Sequence, residues 1–320
     1  MEVELLIQWG NTCYQPVVHD GITWSLERKG SPGKLEFTVL KDEKLKFEEG
    51  AIVRLRIDST NVFFGFVFKK SYSKDKNIKV TAYDQLRYLK NKDTYVYKNK
   101  TATELVKMIA NDFNLNLGQM DDTYHKIATK VEDNQTLFDI IQNALDDTMQ
   151  NRGEIYVLYD DFGKLRLSYI EFLKVGILID AETGESFDYS SSIDGETYNK
   201  IKLVRENEET GKRDVYIAQH GANMNTWGVL QYFDTVDENE NAQAKANSLL
   251  KLYNQKTKGL KVNGVLGDLR VRAGSQVVVQ LDLDDTKLQN FMLVDKVTHK
   301  FEGNHHSMDL TLKGNGVFDG

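Results

Sequence analysis

Cysteine is almost missing from this chain: Cys13 is the only one in 320 residues. No intrachain disulfide can form, so folding does not depend on an oxidising compartment, and synthesis in a cytoplasm fits. Proline occurs only as Pro16 and Pro32, and no low-complexity stretch reads as a linker, so the domains are expected to pack against one another. Long apolar runs are lacking too. None approaches the roughly 20 residues of a membrane span. The N-terminal MEVELLIQW places Glu2 and Glu4 among its apolar residues and has no cationic start, unlike a signal peptide. There is no excess of positive charge: the formal net charge is −7, which argues against a general nucleic-acid binder. There is no GxSxG, so a nucleophilic hydrolase has no support.

What the chain has in quantity is alternation. From Gly50 to Asp84 three strands follow one another. Ile52 to Ile57 alternates apolar with charged residues, Val62 to Lys70 is apolar, and Ile78 to Tyr83 alternates again. Period-two patterning bounded by turn residues is the half-buried antiparallel signature. The stretch recurs near the C-terminus. GAIVRLRI from Gly50 stands beside GSQVVVQL from Gly274, and FGFVFKKSY from Phe64 beside FMLVDKVTH from Phe291. These copies are expected to be equivalent strands of two similar β-barrels. If they fell in one continuous sheet or in unrelated folds, the argument for a duplication from these matches would fail.

Strands at residues 2–8, 22–27 and 34–40 precede the first copy, with a Lys-Gly-Ser-Pro-Gly turn at 29–33. Short strands with tight turns make a barrel or sandwich. The expected first domain is 1–98. A middle α+β domain, 99–185, follows. It has a helix after the capping box Thr101/Glu104, a second helix from Asn134 or Thr136 to Arg152, and a hairpin turning at Asp160 to Gly163. The second β-domain, 186–320, holds strands at 198–205, 213–220 and 228–233. A third helix begins at Asp237 to Glu240, and the repeat closes the segment.

Candidate chemistry is thin. His299, His305, His306 and Asp309 share one predicted hairpin, but a metal needs three or four converging ligands. The competing reading puts His299 across a strand pair and His305 and His306 in a wet turn. Asp161, Phe162 and Gly163 spell a kinase triplet without the rest of a kinase, and read as a turn. The acid pairs at 121–122, 146–147, 160–161 and 284–285 read as solvated surface, because a glycosidase needs two carboxyls across a cleft. Trp24 and Trp227 lie in strand patterns and read as core. Lys69, Lys70, Lys74, Lys76 and Lys79 with Tyr72 form a basic segment that fits a neighbouring subunit or solvent better than nucleic acid. No enzyme activity, metal or cofactor is expected.

Several motifs together resemble one family. They are YDQLRYLK from Tyr83, with Asp84 and Leu86; WGVLQY from Trp227 and Gly228; GDLRVRAG from Gly267 through Asp268, Leu269 and Arg270 to Gly274; and KVTHKF around His299. In this order and spacing they resemble the baseplate hub proteins of PBSX-like contractile prophage tails, the XkdQ/YqbQ family, distantly related to late control D hub proteins. The resemblance implies a mainly β fold in which two tail-tube-like barrels flank a small helical and hairpin domain. It also implies a homotrimer that adapts a six-fold tail tube to a three-fold central spike. The implied partners are the tube or tube-initiator protein, the spike, baseplate wedge proteins and the tape-measure protein, with no specific nucleic acid and no membrane span. The chain would be found in the cytoplasm during assembly and then in the baseplate of a phage tail or bacteriocin particle. The alternatives are a cell-wall-degrading enzyme of the same tail and a free carbohydrate-binding β-protein.

Overall fold

The computed structural model describes residues 1–74, 77–207, 211–236, 241–283 and 287–314. Lys76, the expected helix start at 237–240, the acid pair at 284–285 and residues 208–210 between the expected strands at 198–205 and 213–220 lie outside them.

Period-two burial builds the first strands: β1 (Val3–Trp9), β2 (Thr12–Tyr14), β3 (Val18–Glu27), β4 (Lys34–Leu40), β5 (Ile52–Ile57), β6 (Thr60–Tyr72) and β7 (Asn77–Tyr83). In β5 the residues Val53, Leu55 and Ile57 are buried, while Ile52, Arg54 and Arg56 are half-exposed. After a short 3-10 helix, Gln85–Lys90, come β8 (Lys92–Lys100), α1 (Ala102–Asp112), β9 (Leu117–Met120), β10 (Ile127–Thr136), α2 (Leu137–Arg152), β11 (Tyr156–Asp160) and β12 (Leu165–Tyr169). Thr101 and Glu104 form the expected capping box. Thr136 caps α2, and Gly153 ends it at a φ of 72°. Then follow β13 (Lys174–Ile179), β14 (Ser186–Ser192), β15 (Lys200–Asn207), β16 (Lys212–Gln219), α3 (Gly221–Trp227), β17 (Gln231–Thr235), α4 (Ala242–Tyr253), β18 (Thr257–Leu266), β19 (Gln276–Asp282), β20 (Lys287–Glu302) and β21 (His305–Gly314).

The main sheet has 13 strands, in the order β14-β18-β21-β20-β3-β4-β7-β6-β5-β1-β2, with β19 on β20 and β13 on β19. The expectation of two separate sheets is therefore overturned. β3 pairs with β20 from Ile22↔Phe301 to Glu27↔Lys296 and makes the halves continuous. The geometry of the two copies nevertheless repeats. Gly50 at φ +91° donates its N–H to Val67 O, and Val67 N–H returns to Ala51 O. Gly274 at φ +96° donates to Val294 O, and Val294 N–H returns to Ser275 O. One residue beyond each valine the register slips, between Val67 and Lys69 against β7 and between Val294 and Lys296 against β21. The strand orders β3-β4-β7-β6-β5-β1 and β14-β18-β21-β20-β19-β13 then match position for position. They differ at the last strand: β1 runs antiparallel to β5, whereas β13 runs parallel to β19.

Some strands sit in other sheets than the sequence suggested. β8 leaves the first half and pairs with β10, carrying Tyr95 and Tyr97 into the core of α1 and α2. β13 joins the main sheet. The strands β15, β16 and β17 form a sheet of their own over α4, with a core of Ile201, Leu203, Ala246 and Leu249. Trp227 ends α3 half-exposed and is not core.

Candidate functional site

The YDQLRYLK and GDLRVRAG motifs meet the turn at Asp160 to Gly163 where the first half, the middle segment and the second half touch. Asp84, completely buried, caps the 3-10 helix by accepting from Leu86 N at 3.0 Å. Its other oxygen accepts from Gly33 N at 2.9 Å. Leu86 reaches into the middle core and Tyr83 packs edge-on against Phe68. Gln85 clasps the chain around Asn116, accepting from its N–H at 3.0 Å, and donates to Asp160 Oδ2 at 2.9 Å. Asp160 also accepts from Gly163 N at 2.7 Å. From the second half, Arg272 lies over the Tyr159 ring at 3.6 Å and donates to Asp160 O at 2.8 Å. Gly274 closes the contact: a Cβ there would sit 2.8 Å from Val157.

Burial first, and then Asp160, pushes the Asp84 carboxyl well above the carboxylate range. Burial raises Asp160 to about 6, against the pull of its hydrogen bonds and of Arg272. The cavity among them is about 10 Å³, barely room for one water. Asp160 is thus an internal acceptor and not the solvated surface acid expected, because the hairpin turn docks inward. Phe162 meets Phe64 of β6 edge-on at 5.8 Å, and Gly163, at φ +86°, is where that contact leaves no room for a side chain. The triplet is a β-hairpin turn, as read.

The second cluster lies at the β3–β20 seam. His299 is fully buried and stacks on Trp24 with ring centroids 4.9 Å apart. Its Nε2 lies 3.0 Å from Val271 O and its Nδ1 3.0 Å from His306 Nε2. A carbonyl only accepts, so Nε2 carries the proton, and His306 donates to the bare Nδ1. Burial, then His306, lowers the pKa of His299 to about 3, so it stays neutral. His306 stacks on Phe301 at 4.5 Å and is no wet-turn residue. The loop carrying Val271 is fixed by Asp268, which accepts from the Arg270 backbone N at 2.9 Å and pairs with its guanidinium. Gly267 lies against the His306 ring with no room for a Cβ, and Leu269 packs on the main core. Among the described residues no three His, Cys, Asp or Glu side chains converge as metal ligands. Asp309 instead pairs with Lys300 at 2.6 Å.

Trp227 and Gly228 belong to neither cluster. Gly228 O accepts from Asn199 Nδ2 at 2.7 Å and anchors α3 beside β15. Nor do the lysines act together. Lys70 is committed within its own chain, to Phe47 O at 2.6 Å and Glu48 at 3.2 Å, while Lys69 and Lys74 are exposed. A polar cleft of about 880 Å³ has the His125–Asp147 pair at 3.1 Å on its wall. Sequence reading missed Gln85, Asn116 and Arg272; Gln85 and Arg272 lay inside quoted motifs, but nothing local marked either as reaching across this junction.

The fold is that of prophage tail proteins. The 43 kDa tail protein of prophage MuSo2 from Shewanella oneidensis superposes with a TM-score of 0.68 at 14% identity, covering 99% of this chain and 100% of that one. The chain belongs to the YqbQ-like family, which residues 22–313 match. It is 30% identical over 317 residues to the phage-like element PBSX protein XkdQ of Bacillus subtilis, covering 94% of each chain. It is 31% identical over 280 residues to YqbQ of the same organism, covering 85% of this chain and 84% of the relative.

Proposed function

We propose that the chain is a structural baseplate hub of a contractile phage tail or tail-like bacteriocin. Three copies join a six-fold tail tube to a three-fold central spike, with wedge and tape-measure proteins as further neighbours. The observation that carries this is the repeated hairpin at Gly50/Val67 and Gly274/Val294. A chain with two like halves presents six similar surfaces as a trimer, the simplest match between the two symmetries. In this reading the expected boundaries at 98/99 and 185/186 shift with the strands: β1 to β7 form the first tube-like half, β8 to β12 with α1 and α2 the middle domain, and β13, β14 and β18 to β21 the second half, with the β15–β17 unit an insertion in it. The acidic balance suits a channel wall that repels phosphate.

A cell-wall enzyme is the weaker reading. The buried acids Asp84 and Asp160 are spent on internal hydrogen bonds around a cavity too small for a sugar. Imaging tail particles from cells carrying the tagged gene tests the hub. Three copies encircling the axis between tube and spike are expected; six copies, or none, would refute it. Release of muropeptides from cell walls by the purified chain, lost on a point mutation, would favour the enzyme.

A further inference from the structure

The two halves of this chain meet through one strand pair, and the equivalent strands are left open. β3 of the first half has two partners, β4 and β20. Its counterpart β14 has one among the described residues, β18. The far end of β20 is covered by β3. The far end of β6, its counterpart, pairs beyond Val67 with β7 alone among the described residues. β6 and β14 stand at distant places in the sheet, with six strands between them. One chain cannot close its own second seam.

Burial at the two seams follows the same logic. Aligning Val67 with Val294 places Tyr72 on His299, Ser71 on Thr298 and Lys69 on Lys296. Following the registers through β7 and β21, then β4 and β18, places Tyr189 on Trp24, Ser190 on Ser25 and Phe187 on Ile22. His299 and Ile22 are 0% and 3% exposed at the closed seam. Tyr72 and Phe187 are 62% and 42% exposed at the open edges. An open strand edge flanked by exposed aromatics is a template for another strand.

We infer that β14 of one copy pairs antiparallel with the end of β6 in a second copy of this chain, in the register that β3 and β20 use within the chain. Tyr72 then lies opposite Tyr189, in the place of the His299–Trp24 stack. Ser71 lies opposite Ser190, where Thr298 and Ser25 bring their hydroxyls to 3.4 Å. Three positions back, Phe68 lies opposite Ile193, an apolar pair in place of the Asp295–Arg28 ion pair. The contact is head-to-tail, so it closes into a ring or runs on as a filament. Closure at three copies rests on the hub reading above; the pairing itself rests on the repeated registers.

Arg28 N donates to Asp295 O at 2.9 Å, so alternation along the ladder makes Ser25/Thr298 a non-hydrogen-bonded pair, with Cα atoms about 4.5 Å apart. That spacing suits a disulfide. The test uses tail particles made with the full-length chain carrying Cys13→Ser, Ser71→Cys and Ser190→Cys. Mild oxidation is expected to link copies into a covalent closed three-chain species. The out-of-register pair Ser71→Cys with Ser186→Cys is expected to leave single chains. Particles that contain the chain in normal amount but show no 71–190 link, or that link equally out of register, would overturn the pairing and leave the hub reading standing. A chain absent from the particles would overturn both.

Discussion

Trp24 and His299 stack face to face at 4.9 Å although they come from opposite halves of the chain. The imidazole is held neutral by burial, which sets a pH dependence. Its pKa falls from an ordinary 6.5 to about 3 on folding. The stability this contributes is therefore present above pH 6.5 and drains away as pH falls towards 3. Between pH 7.5 and 5 the wild type should lose about 2 kcal/mol through this group. In His299→Phe, which keeps a ring on Trp24, that slope should vanish while stability at pH 7.5 drops. Urea midpoints at the two pH values measure it; an unchanged slope would show that His299 is not the titrating group.

Asp160 predicts the opposite slope. Its folded pKa of about 6 lies above the ordinary 3.8, so its contribution is complete below pH 3.8 and lost as pH rises through 6. Asp160→Asn removes the titration. The wild type should therefore lose ground to the variant from pH 4 to 6. If denaturation midpoints of the two proteins run parallel across that window, the carboxyl is already ionised below it.

Gly50 and Gly274 share a backbone conformation but not a neighbourhood. A Cβ at Gly50 meets nothing within 4 Å, whereas one at Gly274 strikes Val157. Gly50→Ala should cost about 1 kcal/mol, the strain of a positive φ. Gly274→Ala should cost roughly 2 kcal/mol more, the overpacking range, and loosen the middle segment from the second half. Thermal melts compare the variants. Equal costs would mean that the junction yields freely.

Lys69 and Lys70 are adjacent and should behave differently. Only Lys70 of the two is held within its own chain by the contacts described above, with Phe47 O and Glu48. Lys70→Glu should destabilise by about 3 kcal/mol, a like charge facing Glu48 and Glu49 with the carbonyl left unpaired. Lys69→Glu should change stability by less than about 0.5 kcal/mol. A Lys70→Glu protein as stable as wild type would remove this distinction.

The sequence announced what is local. Alternation set β4 to β7 and β19 to β21, capping residues set α1 and α2, and Gly163 set its turn. Matching glycines at 50 and 274 carried the internal repeat. Partners distant along the chain left no such mark. Nothing near Ser25 says that Thr298 lies beside it, and nothing near Asp160 says that an arginine arrives from residue 272. β15 to β17 have ordinary strand patterns, which cannot tell which sheet they will join. His306 looked solvated because it sits beside a turn, yet a ring across the hairpin takes one of its faces.

The strand pair that unites the halves also sets a schedule for the nascent chain. Ser25 and Thr298 are separated by 273 residues. At roughly 5–20 residues per second a ribosome needs tens of seconds to deliver the second after the first. β3 leaves the exit tunnel with β4 soon behind it, but its other edge stays bare for that whole interval. A chain stalled before β20 would carry this edge as well as that of β6, both open to neighbouring nascent chains on the same message.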